Sequence, residues 1–571
     1  MFTVYDLEVY KHDWLAVFNT DGKITKLHND RDGLKAFLSS VNYLVGYNNY
    51  NYDDRIIAAI LKDMDPFQVS QKIINNKPFK LRLQNPLTLD VMQELKGVSL
   101  KEAQANLKLN IIETPVDFNI DRLMTKSEIN KIFTYCKNDV ETTKLLFDQR
   151  ESYFASKFEI IKEFNLPATN IKKTRANLVS EVLNAKPSTD KNRLNLIYDD
   201  RLPLHELPEP IVKFYKQITK RYEEGVNYQE LESEKFTYRL AGIDHVFGFG
   251  GLHAAKENYK GEGDYMHIDI GSYYPSLIIN NHFIQKVDEF KKIYDTRVKL
   301  KADKDSKADI YKILLNSTYG AMKSKWNKLY NPQMANNIVV NGQLIITHLI
   351  CLLENHCELI QTNTDGIIIK YEKGFERNII KVLHLFEEAY QLTFDTNLIT
   401  KIAQRDVNNY VLQYKSGEMK AIGRFANYDG GNFERNSLTV IDKALVDYFM
   451  KGIRVNKTVI DLWKNQELHW FQYVVKAGKF DGMAQEVITE TLFEDVKGSE
   501  FKPIQNVNRV FAAKDKQLGS VFKTKNDKET KYSKVPYTSD HCLVWNDELS
   551  KLDKRQINLN WYIKQIESYL F

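Results

Sequence analysis

Asp6 and Glu8 stand two apart in the run FTVYDLEVY, whose β-branched and aromatic residues predict a strand. Residues two apart share a strand face, so the two carboxylates project together and repel unless a cation lies between them. Alone, this pair equally describes a polar strand face at a sheet edge. GYNNYNYDDRII then places Asp53 where a predicted strand gives way to a helix, and YCKNDVETT places Tyr135 and Asp139 four apart, on one helix face. Carboxylates converging from several elements form the all-oxygen ligand set that hard divalent cations take. Two such ions roughly 3.5–4 Å apart are the apparatus of phosphodiester hydrolysis, one activating water and one stabilising the leaving oxygen. Tyr135 is placed to orient the attacking water.

A second set lies further along. HIDIGSYYPSLII reads as an apolar strand carrying Asp269 into a Gly-Ser-Tyr-Tyr-Pro turn, and a carboxylate on a buried strand needs a partner. In KILLNSTYG, Lys312, Asn316 and Tyr319 fall at i, i+4 and i+7 and share a helix face. A cation, an amide and an aromatic ring together suit a triphosphate and a base pair, although an amphipathic helix with an incidental lysine has the same pattern. IQTNTDGIIIKY predicts a β-hairpin with Asp365 at its tip.

The elements that must position these residues follow from the rest of the chain. Its 571 residues exceed what one core supports and predict two to four domains. Hydrophobic residues at 43% and charged residues at 27% are an ordinary globular balance, and a net charge of +5 is compatible with an anionic partner. Cys136, Cys351, Cys357 and Cys542 include no CxxC pair, which argues against a zinc cluster and for a reducing compartment. The charged N-terminus is unlike a signal peptide, and no apolar run is expected to reach the ~18 residues of a membrane span. Strand-like and helix-like segments alternate over the first 150 residues, ending in a long helix from SEINKIF to LLFDQR. Residues 151–235 read as mostly helical with a joint near 200–210. Residues 236–425 read as a second α/β region containing a helical hairpin over 284–325, whose tip is the charge-dense KLKADKDSKAD.

Taken in order, D-x-E at Asp6 and Glu8, N-x-x-x-Y-D ending at Asp53, and Y-x-x-x-D at Tyr135 and Asp139 resemble the three motifs of DEDD-type 3′–5′ proofreading exonucleases. SLKEA, with Ser99 and Leu100, resembles a short single-strand contact motif of family B DNA polymerases, although Ser99 also suits a helix cap. DIGSYYPS, KILLNSTYG and TNTDG resemble polymerase motifs A, B and C of that family. Tyr273 replaces the usual Leu of motif A. Asn363 replaces the first Asp of motif C, leaving Asp365 in the place of the second, which carries the metals. FGFGGLHAA resembles a template-contacting Y-x-G-G segment through Gly250 and Gly251 only. VNNYVL keeps Tyr410 of a K-x-Y primer contact but has Asn408 for Lys, with Lys420 and Arg424 as substitutes.

The resemblance implies an α/β multidomain fold: an RNase H-like exonuclease domain followed by a right-hand polymerase. The boundaries are 1–185 for the exonuclease, 186–283 for linker and first palm segment, 284–325 for fingers, 326–425 for second palm segment, and 426–571 for thumb and extension. It implies two Mg²⁺ per active site, with Mn²⁺ as substitute, on Asp269 and Asp365 and on Asp6, Glu8, Asp53 and Asp139. It implies nucleotide contacts from Tyr274 (a steric gate against ribose), Arg297, Lys312, Asn316 and Tyr319. DNA contacts would come from Gly250, Gly251, Tyr410, Lys420, Ser99 and Leu100. Primer–template DNA and dNTPs would be the substrates, with single-stranded DNA in the exonuclease site. The implied setting is a monomeric phage replicase in the host cytoplasm, with a helicase, primase or single-strand-binding protein as partners and no membrane. The intervals 269–312 and 320–365 leave no room for the insertions of protein-primed phage enzymes. The alternatives are a nuclease-dominant repair or processing enzyme, a protein-primed replicase lacking those insertions, and a catalytically silent nucleic-acid-binding protein.

Overall fold

The computed structural model describes the chain apart from residues 190, 191, 435, 491–496 and 528. The described residues form two compact α/β units. Unit 1 is Met1–Phe158, Asn427–Ala444 and Ile453–Tyr569; unit 2 is Glu159–Ala426, Leu445–Gly452 and Leu570–Phe571.

Unit 1 is built on strands β1 (Phe2–Val9), β2 (Trp14–Thr20), β3 (Lys23–His28), β4 (Tyr43–Gly46) and β5 (Leu87–Asp90), in the order β3-β2-β1-β4-β5. The first three are antiparallel, while β4 and β5 run parallel to β1. Strand β1 is therefore central, not the edge strand that a merely polar face would suit. Its alternation divides the sheet: Tyr5, Leu7 and Val9 join a core with Phe18, Leu34, Ile56 and Ile57, and Asp6 and Glu8 face the other way. Helix Lys126–Gln149 packs over that second face. It begins at a capping box in which Thr125 and Glu128 satisfy each other's backbone N–H groups.

The C-terminal part of unit 1 adds a sheet of strands Tyr473–Lys476, Val507–Ala512 and Cys542–Val544. It grips the short helix Leu100–Asn106. Gln472 donates to the Ala105 carbonyl at 3.0 Å, and Lys476 pairs with Glu102 at 2.6 Å. The Ile111 N–H donates to the Asn546 carbonyl at 2.9 Å. Arg509 is fully buried and donates to the carbonyls of Ala105 (3.4 Å), Leu109 (2.7 Å) and Asp547 (3.1 Å). Cations at the last carbonyls of a helix complement its dipole; burial draws the guanidinium pKa down to about 10. Long-range pairing of this kind leaves no local trace in the sequence NVNRVF.

Unit 2 contains a small hairpin of β6 (Phe236–Leu240) and β7 (Ile243–Phe247) and a seven-stranded antiparallel sheet. The sheet is made of β8 (Ala254–Ala255), β9 (Tyr259–Ile270), β10 (Glu358–Asn363), β11 (Gly366–Lys370), β12 (Phe394–Asp406), β13 (Asn409–Tyr414) and β14 (Met419–Ile422). Their order is β14-β13-β12-β9-β11-β10-β8. Helices Val287–Ala302 and Ala308–Lys323 form the expected hairpin, with Asp303, Lys304, Asp305 and Lys307 at its tip.

Two expectations are corrected here. HIDIGSYYPSLII is not one strand: β9 ends at Ile270, Ser272 turns the chain with φ 50°, and Tyr273–Asn280 is helical. Pro275 is the third residue of that helix, where a missing N–H costs no intrahelical bond; a short apolar run cannot by itself separate strand from buried helix. Secondly, helix Pro332–Leu353 is long and apolar enough to cross a membrane, and 89% of its most apolar window is buried inside the protein. Its amides are engaged by backbone: Asn341 donates to the Ile197 carbonyl at 2.8 Å and Gln343 to the Gly248 carbonyl at 3.0 Å.

Candidate active sites

In unit 1 the oxygens of Asp6, Glu8 and Asp139 lie within 4.8 Å of one another. The strand supplies the first two and helix Lys126–Gln149 the third. Asp53 stands at the first position of helix Asp53–Leu61, where a carboxylate faces the positive end of the helix dipole. Burial, and then the neighbouring Asp139 charge, push the Asp6 pKa up to about 7. Glu8 and Asp53 are raised as well, first by burial and then by the charge of Asp6. A buried group of this kind requires positive charge. Part of it is built in: Lys101 Nζ donates to both oxygens of Asp139, at 2.6 and 2.8 Å, and Gln104 adds a bond of 2.8 Å. The Cys136 thiol donates to Asp6 Oδ2 at 3.2 Å. The Tyr135 hydroxyl is directed at Asp139 and held protonated, mainly by burial, and Lys101 sits 4.3 Å from its ring centre.

Asp54, beside Asp53 in sequence, is a different kind of group. Tyr5, Asn49 and Thr88 donate to it at 2.7, 3.0 and 2.6 Å, so it is a satisfied structural carboxylate. Ser99 is the N-cap of helix Leu100–Asn106, in a capping box with Glu102. That helix carries Lys101 and Gln104 to Asp139. Neither is singled out by sequence reading, although SLKEAQ places a lysine and a glutamine at i and i+3, on one helix face.

In unit 2 the hairpin β10–β11 turns through Thr364 and Asp365, and Gly366 pairs with Asp269 on β9. The Ile270 N–H donates to the Asp365 carbonyl at 2.7 Å, which fixes the tip against the end of β9. Gly366 is a clearance: a Cβ there would lie 2.6 Å from Asp269 Oδ1 and 2.5 Å from the Ile268 carbonyl oxygen. The Asp365 carboxyl pKa is raised by burial and by Asp269, and Lys420 on β14 acts against the rise. Asn363 bonds to His253 and also accepts from the Thr364 N–H at 2.9 Å. Gly251 gives a second clearance, because a Cβ there would sit 2.0 Å from the Thr364 hydroxyl. Gly250 has open space around it.

Several other expected residues lie on the helices of unit 2. Tyr274 and Tyr319 meet with ring centres 4.8 Å apart. Arg297, from the first helix of the hairpin, donates to the Ser272 hydroxyl directly before Tyr273. Lys312 and Asn316 are exposed on the second helix. Tyr410 is placed differently from a strand-contacting residue: it is 3% exposed, bonded to Gln361, and packed with Tyr265, Ile360 and Ile399. His267 and Tyr414, both missed by sequence reading, line up behind Asp269.

Both groups have the chemistry that hard divalent cations require: ionisable oxygen donors brought together with less positive charge than they need. No family model matches the sequence, and no curated protein matches it. Among solved structures the chain is similar to the family B DNA polymerase from the hyperthermophilic archaeon Pyrobaculum calidifontis. The identity is 11%, over 99% of this chain and 77% of that one, with a TM-score of 0.45, a likeness too distant to carry an argument.

Proposed function

We propose that this protein is a template-directed DNA polymerase that extends a primer 3′-OH and edits its product with a 3′–5′ exonuclease. The observation that carries the reading is the presence of two separate carboxylate groups, one in each unit. The first is approached by Tyr135; the second is flanked by Tyr274 and a helix bearing Lys312, Asn316 and Tyr319. The strand order of unit 1 is in keeping with an RNase H-like exonuclease domain.

Asp269 and Asp365 would hold Mg²⁺ in the polymerase site, and Asp6, Glu8, Asp53 and Asp139 in the exonuclease site, with Mn²⁺ as a substitute. The ions would lower the pKa of the attacking hydroxyl or water and neutralise phosphate charge. The chain's own groups do the rest. Lys312 and Arg297 bind the triphosphate, and the Tyr274 ring excludes a 2′-OH. Asn316 and Tyr319 line the nascent base pair. Lys420, with Gly250 and Gly251, holds template and primer. Tyr135 orients water at the editing site. Editing adds selectivity beyond that of base binding. The setting is phage DNA replication, on primer–template DNA with dNTPs.

The test is a labelled primer–template incubated with Mg²⁺. The expected result is extension to the template end with dNTPs and shortening from the 3′ end without them. Shortening alone in the presence of dNTPs would replace this reading with a nuclease-dominant one.

A further inference from the structure

Resting on the polymerase reading, we propose that His267 is a positioning residue for Asp269, held in turn by Tyr414. His267 and Asp269 are two apart on β9, so their side chains leave the same face of the sheet. His267 Nε2 lies 3.1 Å from Asp269 Oδ1, and its Nδ1 lies 3.0 Å from the Tyr414 hydroxyl. The imidazole stacks on the Tyr414 ring at 15° between planes, and its side chain is only 5% exposed.

The hydrogen-bond inventory assigns the ring atoms. An ionised carboxylate only accepts, so Nε2 carries a hydrogen and donates to Oδ1. In a neutral ring, Nδ1 then accepts from the Tyr414 hydroxyl. In a charged ring it donates to that oxygen. Either form pins Oδ1, so the role does not depend on the ring's charge. A chain of hydrogen bonds thus runs from Tyr414 on β13, across β12, to Asp269 on β9.

A buried histidine with two partners is commonly plain packing. Here one partner is one of the two carboxylates that the candidate polymerase site offers as cation ligands, and Asn363 adds none. Gly366 leaves Oδ1 the space it occupies and His267 donates to it, so one carboxylate oxygen is held in place. Oδ2 and the remaining lone pair of Oδ1 are thereby oriented for a cation. Partners behind a ligand orient it in this way, and their loss typically weakens metal affinity by ~10–100-fold.

The experiment uses the full chain carrying Asp6→Ala, so that Mn²⁺ titration by electron paramagnetic resonance reports the unit 2 site. Into it go His267→Leu, His267→Gln and Tyr414→Phe. The expected result is Mn²⁺ binding weaker by about tenfold or more for His267→Leu, and a higher Mg²⁺ requirement for primer extension. His267→Gln, which keeps a donor, should recover most of both, and Tyr414→Phe should fall between. Unchanged Mn²⁺ binding by His267→Leu would overturn the assignment. So would equal losses for Leu and Gln with none for Tyr414→Phe, because the ring would then serve only as packing. Thermal unfolding identifies any variant that fails to fold. If the parent protein binds Mn²⁺ but never extends a primer, the polymerase reading falls, while the Mn²⁺ titration still decides the role of His267.

Discussion

In unit 1, Asp139 has both carboxylate oxygens engaged by Lys101, and its neighbours Asp6 and Glu8 are half-buried beside a helix. In unit 2, Asp269 has one donor at Oδ1, from His267, and its side chain is 34% exposed at the end of a strand. The first group brings a cation of its own and closes around it; the second leaves its charge facing outward. The difference teaches that carboxylate count is a poor guide to demand for metal. In unit 1 a lysine pairs directly with Asp139, whereas in unit 2 Asp269 has a histidine donor and Asp365 feels Lys420 without an ion pair being formed.

The comparison breaks most sharply if the two groups are not separable. Asp365→Asn should reduce primer extension by about 1,000-fold or more and leave 3′ degradation intact, and Asp6→Ala should do the reverse. Loss of both activities from either change would show one shared site. A smaller effect concerns the internal cation. Lys101→Met should destabilise the chelator-treated protein by about 3 kcal/mol, because it removes one partner of a buried ion pair. Mn²⁺ should restore much of that stability. Thermal unfolding with and without the ion reads this directly, and an equal loss in both conditions would mean that lysine and metal do not compete for Asp139.

Gly366→Ala tests the clearance in unit 2. The added Cβ meets backbone and Asp269, so extension should fall by about 100-fold, with 3′ degradation unchanged; a normal extension rate would remove Gly366 from the site. The smallest effect is in pH. The folded chain keeps the Asp6 proton up to about pH 7, whereas an exposed Asp ionises near ~4. Between those values the folded state binds more protons than the unfolded one, so stability falls as pH rises through the window. Unfolding temperatures in chelator should therefore decline from about pH 5 to about pH 8, and added Mg²⁺ should raise them more at the upper end. A flat profile would contradict the raised pKa of Asp6.

What the sequence disclosed and what it withheld follow from range. The D-x-E strand, the Tyr135–Asp139 helix face and the Asp365 hairpin were legible because each is a periodicity within a few residues. The helix at Tyr273 was not, because an apolar run of that length has no period of its own and the break depends on Ser272 adopting φ 50°. Lys101 and His267 were in plain view, yet their roles depend on a partner that only folding supplies: Asp139 on another element, and Tyr414 two strands away. The grouping of Ile453–Tyr569 with the first 158 residues was the least legible feature, since nothing local in either segment names the other.

The grip of Arg509 on the carbonyl of Leu109 has a consequence in time. The two residues are 400 positions apart. At ~5–20 residues per second, a ribosome needs about 20–80 s to travel between them. Throughout that interval the helix bearing Lys101 and Gln104 exists on the nascent chain without the cation that closes its end. That end of the helix is thus clasped only after all of Glu159–Ala426 has been synthesised. Amide exchange in Arg509→Met should reproduce that immature state, with faster exchange confined to residues 100–111; unchanged protection there would mean that the helix sets without waiting for its clasp.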